Sequence, residues 1–226
     1  MKKKAMLAAI GFMLVSGTAL TAAPLAPHVH ASAVTLLSVG TSSTAVTQLQ
    51  TDLKKLGYFN NATATGCFGT VTRDAVISLQ RAYGLTADGI PGPVTLEAVS
   101  HAILKQKLVA DTSSYIGVPY LWGGTNPASG FDCSGFVYFM FTKFGVAQSR
   151  STSANLFTQG FAVNKSMLRP GDLVFFRNPS TGAIDHVGFY TGGNSFVSAL
   201  SSKGIYVQQM DNSYWDPRYA GARRVY

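Results

Sequence analysis

A cysteine near the middle of the chain has the sequence setting of a nucleophile. Behind Cys133, apolar residues recur at positions 136, 137, 140, 141 and 144, the spacing of one helix face, and Gly145 ends the pattern. Asp132 therefore stands where an N-cap belongs, which places Cys133 in the first helical turn. The positive end of the helix dipole and free backbone N–H groups stabilise a thiolate there and can hold an oxyanion. We expect Cys133 to attack a carbonyl.

A thiolate that attacks an amide also needs a group that carries protons. The chain has four histidines, and His28 and His30 lie in an N-terminal segment that we expect to be removed. His101 ends a helical region, where a surface or packing role is expected. His186 begins a predicted strand and is therefore the predicted base. A third polar group should orient its imidazole, and Ser198 on a neighbouring strand is the candidate.

Composition narrows the function further. The 226 residues are 46% hydrophobic and 12% charged, which is enough apolar material for packed cores. Two cysteines and two retained histidines cannot form a zinc cluster of the usual spacing, and thiol chemistry needs no metal or cofactor. The formal net charge is +8, and the positive excess of the mature chain lies after residue 103. We expect an anionic partner such as cell-wall polymer, and not nucleic acid, because the mature chain has no basic run.

The N-terminus has the pattern of an export signal. A basic segment at 2–4 precedes an apolar core at 5–15, and Ala-x-Ala-like sites end at Ala31 or Ala33. This apolar core is too short to span the roughly 30 Å of bilayer hydrocarbon. We therefore expect residues 1–31 to be a cleaved signal peptide. The mature protein is then secreted and cell-wall associated, a monomer without an integral membrane segment.

An internal repeat lies within the first half of the mature chain. The segment Gly66-Cys67-Phe68-Gly69 recurs 23 residues later as Gly89-Ile90-Pro91-Gly92, and both copies precede Thr, Ala and Val at matching positions. The flanking patterns predict three helices, at about 43–56, 70–83 and 93–104. Cys67 is expected to be a small buried hydrophobic residue.

This segment resembles the peptidoglycan-binding domain found on many cell-wall hydrolases. Four motifs carry the resemblance: A-V-x-x-L-Q, L-G-Y, G-x-F-G-x-x-T and D-G-I-x-G-P-x-T. The resemblance covers residues 40–103. It implies a small three-helix domain that tethers the protein to peptidoglycan. A purely structural spacer is the alternative.

The residue pattern changes after residue 104. Glycines separate β-branched and aromatic runs, which predict strands at 172–176, 186–190, 195–199, 204–208 and 220–225. Helices followed by an antiparallel sheet make an α+β domain, which we place at residues 105–226. The boundary falls within one helical stretch, so we expect almost no linker.

This second domain resembles the NlpC family of cell-wall cysteine endopeptidases, within the papain-like superfamily. The motifs are Y-L-W-G-G at 120–124, F-D-C-S-G-F-V at 131–137, R-P-G-D-L-V-F-F at 169–176, D-H-V-G-F-Y at 185–190 and G-A-R-R-V at 221–225. The resemblance implies a papain-like α+β fold with Cys133 as nucleophile and His186 as base. It also implies Tyr120 near the oxyanion, and Asp132 and Ser134 lining the substrate groove.

The implied activity is cleavage of peptidoglycan stem peptides at the γ-D-glutamyl–diamino acid amide, with meso-diaminopimelate or lysine as the diamino acid. One position departs from the family pattern. The third catalytic residue is usually His, sometimes Asn or Gln, twelve positions after the base, and here that residue is Ser198. Serine could act directly or through water, or Asn194 or Gln208 could substitute. We therefore expect an active but slower enzyme.

Two alternatives remain open from the sequence. One is a catalytically weak or inactive cell-wall binding protein, and the other is a different acyl-transfer or γ-glutamyl hydrolysis reaction on the same scaffold. The tether and the basic charge favour a Gram-positive host.

Overall fold

Three helices form the first part of the fold. The computed structural model describes residues 37–225, so the predicted signal peptide lies outside the described residues. The helices are α1 (Thr44–Lys55), α2 (Thr70–Ala82) and α3 (Pro93–Asp111). The first two match their predicted ranges to within a residue, whereas α3 runs on through the predicted domain boundary near 104. None of the helices in this described range is long and apolar enough to cross a membrane.

A buried glutamine closes the turn of the first repeat. The Gln50 amide donates to the Cys67 carbonyl and to the Thr72 hydroxyl, both at 2.9 Å, and accepts from the Gly66 N–H at 3.0 Å. The turn therefore uses the backbone of Cys67 and not its side chain. That thiol is exposed and accepts a hydrogen bond from Ser42 Oγ at 3.3 Å, so the prediction of a buried Cys67 was wrong.

The second repeat has the same arrangement. Gln80 accepts from the Gly89 N–H at 2.9 Å and donates to the Ile90 carbonyl and the Thr95 hydroxyl, both at 3.1 Å. Gly89 has a φ of 75°, and a Cβ added there would lie 2.6 Å from Arg73 Cγ. Gly66, at the same position of the first repeat, has a φ of 76°, and a Cβ there would lie 2.7 Å from Thr47 Oγ1. The first glycine of each repeat is thus needed for backbone conformation and for close approach.

The second part is a sheet with helices packed on it. Its strands are β1 (Thr125–Asn126), β2 (Gly130–Phe131), β3 (Phe161–Val163), β4 (Leu173–Arg177), β5 (Ile184–Gly192), β6 (Ser195–Leu200), β7 (Gly204–Gln209) and β8 (Tyr219–Arg224). Six of them form an antiparallel sheet in the order β3-β8-β4-β5-β6-β7, and β1 and β2 form a separate antiparallel pair. The helices are α4 (Cys133–Lys143) and α5 (Ser153–Leu156), and 3-10 turns occupy Thr112–Tyr115, Lys165–Met167 and Asp216–Arg218.

The α+β prediction is confirmed by this order of helices and antiparallel sheet. All five predicted strands are present. The pair β1–β2 and the edge strand β3 were not predicted, because segments of two or three residues leave no periodic signal.

Helix α4 is fixed by aromatic packing on the sheet. Phe136 and Phe141 of α4 contact Phe189 of β5 edge-to-face, with ring centroids 6.2 and 5.5 Å apart. All three side chains are buried. Full burial of a phenylalanine contributes about 1.5–3 kcal/mol, so this contact holds the start of α4 against β5.

A buried ion pair lies where the two parts of the fold meet. Arg224 donates from Nε and Nη2 to the two carboxylate oxygens of Asp172, at 2.8 and 2.7 Å, and both side chains are almost fully buried. Nη1 of the same guanidinium donates to the Ala82 carbonyl at 3.2 Å, at the end of α2. One side chain of β8 therefore bonds both the sheet part and the three-helix part of the chain.

Candidate active site

Asp132 caps α4, as predicted, and fixes the position of Cys133. Its Oδ1 accepts from the Gly135 N–H at 2.5 Å, and its Oδ2 accepts from the Gly123 N–H at 2.8 Å. A Cβ at Gly135 would collide with the Gly124 carbonyl, so only glycine lets the preceding loop approach the helix this closely. The capped helix begins at Cys133, a half-buried residue.

Arg150 completes the support of this helix terminus. Its Nη2 donates to Asp132 Oδ2 at 2.5 Å and its Nη1 donates to Ser134 Oγ at 2.7 Å. Asp132 and Ser134 are themselves joined at 3.1 Å. The sequence had assigned Arg150 no role, because one cation in a Ser/Thr-rich loop is too common to stand out. Asp132 and Ser134 line the cleft, and both are bound to this guanidinium.

His186 and Ser198 are in direct contact. His186 Nε2 lies 2.7 Å from Ser198 Oγ, across the neighbouring strands β5 and β6. Ser198 is fully buried. The two substitutes considered from the sequence lie elsewhere: Asn194 forms the β5–β6 turn with a φ of 60°, and Gln208 Oε1 accepts from the Trp215 indole N–H. Of the alternatives left open by the sequence, the structure therefore shows a direct contact between His186 and Ser198.

An indole covers the imidazole. The ring centroids of Trp215 and His186 lie 4.9 Å apart with an interplanar angle of 28°, which is a stacked arrangement. Trp215 in turn packs against Phe176 and Phe196, at 4.6 and 5.1 Å. Burial lowers the pKa of His186 to about 4. The imidazole is therefore neutral at neutral pH, as a general base must be.

Burial also dominates at the thiol. The Sγ atom of Cys133 lies 3.9 Å from the Asp185 carbonyl oxygen, just before His186. Burial raises the pKa of Cys133 to about 11 and outweighs the Val187 N–H group, which lowers it. The backbone N–H groups at the start of α4 lower the pKa of this thiol, as expected, but burial outweighs them. Both groups are neutral at rest.

These residues open into one cleft of about 810 Å³. Cys133, His186 and half-buried Tyr120 line it, and burial raises the pKa of the Tyr120 phenol, with further contributions from Cys133 and Asp132. Trp122 stands at the rim with 86% of its surface exposed. His101 lies apart on α3, with Nε2 3.9 Å from Glu97 Oε1. Within residues 37–225, no group of three or more His, Cys, Asp or Glu side chains is placed to hold a metal ion.

A cysteine at the start of a buried helix that shares a cleft with a histidine on an antiparallel sheet is the arrangement of the papain-like cysteine peptidases. Comparison with known families agrees. The model described as "NlpC/P60 family" matches residues 117–224, and the model described as "Putative peptidoglycan binding domain" matches residues 42–99. The chain therefore carries an NlpC/P60 domain preceded by a peptidoglycan-binding domain, as its motifs predicted.

Individual relatives match over the NlpC/P60 part. "Murein DD-endopeptidase MepH" of Escherichia coli is 39% identical over 113 residues, 49% of this chain and 42% of that protein. "Gamma-DL-glutamyl hydrolase" of Bacillus subtilis is 36% identical over 118 residues, 52% of this chain and 28% of that protein. A solved NlpC/P60 structure from Bacillus cereus has 31% identity and a TM-score of 0.50, and the match covers 54% of this chain and 40% of that one.

The chain thus spans less than half the length of these relatives. They come from both Escherichia and Bacillus, so the comparisons do not favour a Gram-positive host.

Proposed function

We propose that this protein is an exported, cell-wall-associated peptidoglycan hydrolase that cleaves stem peptides by a cysteine mechanism. The observation that carries the proposal is the 2.7 Å contact between His186 and Ser198, beside a cleft that Cys133 also lines. Such a contact orients an imidazole for proton transfer, and a nucleophile with an oriented base is the signature of covalent acyl transfer.

The tautomer of His186 decides whether the pair can work. When Nε2–H donates to Ser198 Oγ, the other ring nitrogen keeps its lone pair and can accept the thiol proton. The sulfur then bonds to the amide carbon as its proton moves to His186. The tetrahedral intermediate collapses when the imidazolium protonates the leaving amine, and a thioester remains. Water, deprotonated by His186, attacks the thioester and releases the carboxylate and the free thiol.

The neutral resting pair sets the order of events. With the pKa of Cys133 raised to about 11 and that of His186 lowered to about 4, the proton leaves sulfur only as the carbonyl is attacked. Backbone N–H groups at the start of α4 would hold the developing oxyanion, with Tyr120 nearby. The Asp132 charge opposes a thiolate, and its ion pair with Arg150 reduces that opposition.

The bond we propose is the amide between γ-D-glutamate and the diamino acid. The sequence motifs support it, and so does the relative named as a γ-DL-glutamyl hydrolase. The relative named as a murein DD-endopeptidase points instead to the cross-link bond. Both bonds lie in the peptide part of peptidoglycan, so product analysis separates them.

The three-helix domain would hold the enzyme on its substrate. It matches a peptidoglycan-binding family and shares a buried junction with the catalytic part. A tether of this kind raises the local substrate concentration and adds avidity without changing the chemistry.

The test is mass spectrometry of purified peptidoglycan after incubation with the mature protein, with Cys133→Ala as the control. New fragments that end in γ-D-glutamate, absent from the control, are the expected result. Fragments cut at the cross-link would support the hydrolase activity but would show that the γ-D-glutamyl amide is not the bond cleaved. Intact peptides from a folded, wall-bound protein would favour the alternative of an inactive binding protein.

A further inference from the structure

A second, smaller pocket adjoins the catalytic cleft. It has a volume of about 350 Å³ and shares Asp185, His186, Tyr214 and Trp215 with the main cleft, whereas Cys133 lines only the main cleft. The acyl half of a substrate must lie at the sulfur, and the leaving amine must lie at the imidazole that protonates it. A chain leaving beyond His186 therefore runs toward this second pocket.

The second pocket carries one charge of each sign. Asp185 is exposed on one wall, and Arg218 is half-buried on another. Among residues 37–225 neither side chain forms an ion pair, with each other or with another residue. Opposite charges that leave each other unpaired in one concave site are suited to a ligand with both an ammonium and a carboxylate group.

Arg218 is held in place for such a ligand. Its Nη1 donates to the Tyr214 carbonyl at 2.6 Å, and the guanidinium lies 3.8 Å from the centroid of the Tyr214 ring. These two contacts fix the planar group before a ligand arrives. A guanidinium fixed in this way loses little entropy when it binds a carboxylate through its remaining N–H groups.

We infer that this pocket binds the side-chain end of the diamino acid and selects meso-diaminopimelate over lysine. The inference rests on the proposed function. The side chains of diaminopimelate and lysine both end in an ammonium group, which can donate a hydrogen bond to Asp185. Only diaminopimelate adds a carboxylate, which can accept hydrogen bonds from Arg218. The carboxylate would form charge-assisted hydrogen bonds, which are stronger than neutral ones.

The experiment compares three tripeptides of the form L-alanyl-γ-D-glutamyl-X. X is meso-diaminopimelate, the same residue with its side-chain carboxyl amidated, or L-lysine. The wild-type protein should cleave the first with a kcat/KM at least about tenfold above the other two. In Arg218→Gln, the first substrate should fall to the level of its amide, and the lysine substrate should change by less than about twofold. Cleavage of the lysine substrate shows that the variant is folded.

Two further variants sharpen the assignment. Arg218→Lys keeps the positive charge and should retain part of the preference. Lys203→Gln removes a cation that lines only the main cleft, and it should keep the ratio between substrates. Equal cleavage of all three substrates by the wild type, or an unchanged ratio in Arg218→Gln, would overturn the inference and leave the proposed function standing. No cleavage of any substrate would overturn both.

Discussion

The two parts of this chain treat buried polar groups in opposite ways. In the three-helix part, the amides of Gln50 and Gln80 each accept one backbone N–H and donate to a carbonyl and a hydroxyl. In the cleft, burial instead raises the pKa of Cys133 and lowers that of His186. The first arrangement is complete and stabilises a turn. The second is completed only when a substrate supplies the oxyanion and the leaving amine.

Removal of the sulfur should produce the largest effect. Cys133→Ala should lower hydrolysis of stem peptides by about 10⁴-fold or more, because the covalent step is lost. Binding to insoluble peptidoglycan and the melting temperature should stay close to those of the wild type, since the three-helix part is untouched. Residual hydrolysis within about tenfold of the wild type would show that Cys133 is not the nucleophile.

The pH dependence of alkylation tests whether the pKa of the Cys133 thiol is raised in the free protein. A thiol whose pKa is raised to about 11 gains thiolate about tenfold per pH unit below that value. Alkylation of Cys133 by iodoacetamide should therefore rise by about 10³-fold between about pH 6 and pH 9. A thiolate–imidazolium pair would instead give a plateau over the same range.

This measurement needs a background without the second thiol. Cys67 is exposed and would also react, so the rates are measured in Cys67→Ser and compared with Cys67→Ser/Cys133→Ala. The acid limb of hydrolysis gives an independent check. Because burial lowers the pKa of His186 to about 4, the base stays neutral above that value and activity should fall only as the pH drops through it.

Ser198 provides a smaller and more selective perturbation. Ser198→Ala removes the oxygen 2.7 Å from His186 Nε2 and should lower kcat by about ten- to a hundredfold, with KM nearly unchanged. Ser195→Ala, on the same strand, is the matched control and should keep full activity. Wild-type kcat in Ser198→Ala would mean that packing under Trp215, and not this hydrogen bond, orients the imidazole.

Local sequence signals predicted the features that are local in the structure. The spacing of apolar residues gave the helices, and the aspartate before an apolar run gave the N-cap of α4. His186 and Ser198 were both placed on predicted neighbouring strands, and their contact joins β5 and β6. The unusual serine could be named, but its direct contact could not be distinguished from a water-mediated one.

The sequence did not predict features that depend on contacts between distant parts of the chain. Arg150 reaches Asp132 from 18 residues away, and Trp215 covers His186 from a loop near the C-terminus. The pKa of Cys133 shows the same limit. The dipole of α4 is visible in the sequence, but the burial that outweighs it comes from residues packed around the site from other elements.

The hydrogen-bond network around Gln80 in the three-helix part can be tested through its effect on stability. Gln80→Leu keeps the volume of the side chain and leaves the Gly89 N–H and the buried Thr95 hydroxyl without their partner. Each buried group left unsatisfied costs about 1–3 kcal/mol, so we expect the free energy of unfolding to fall by about 2–3 kcal/mol. Denaturant titration of the mature protein measures this change.

The control for this substitution is Gln48→Leu, because Gln48 is exposed and, among residues 37–225, its side chain bonds only that of Asp52, at 2.7 Å. It should change stability by less than about 0.5 kcal/mol. Cleavage of short stem peptides by Gln80→Leu should match the wild type at temperatures where the variant is folded. A comparable loss of peptide cleavage would show that the turn of the second repeat also positions the cleft, through the junction where Arg224 bonds the end of α2. The division between a completed structural network and an incomplete catalytic one would then not follow the two parts of the chain.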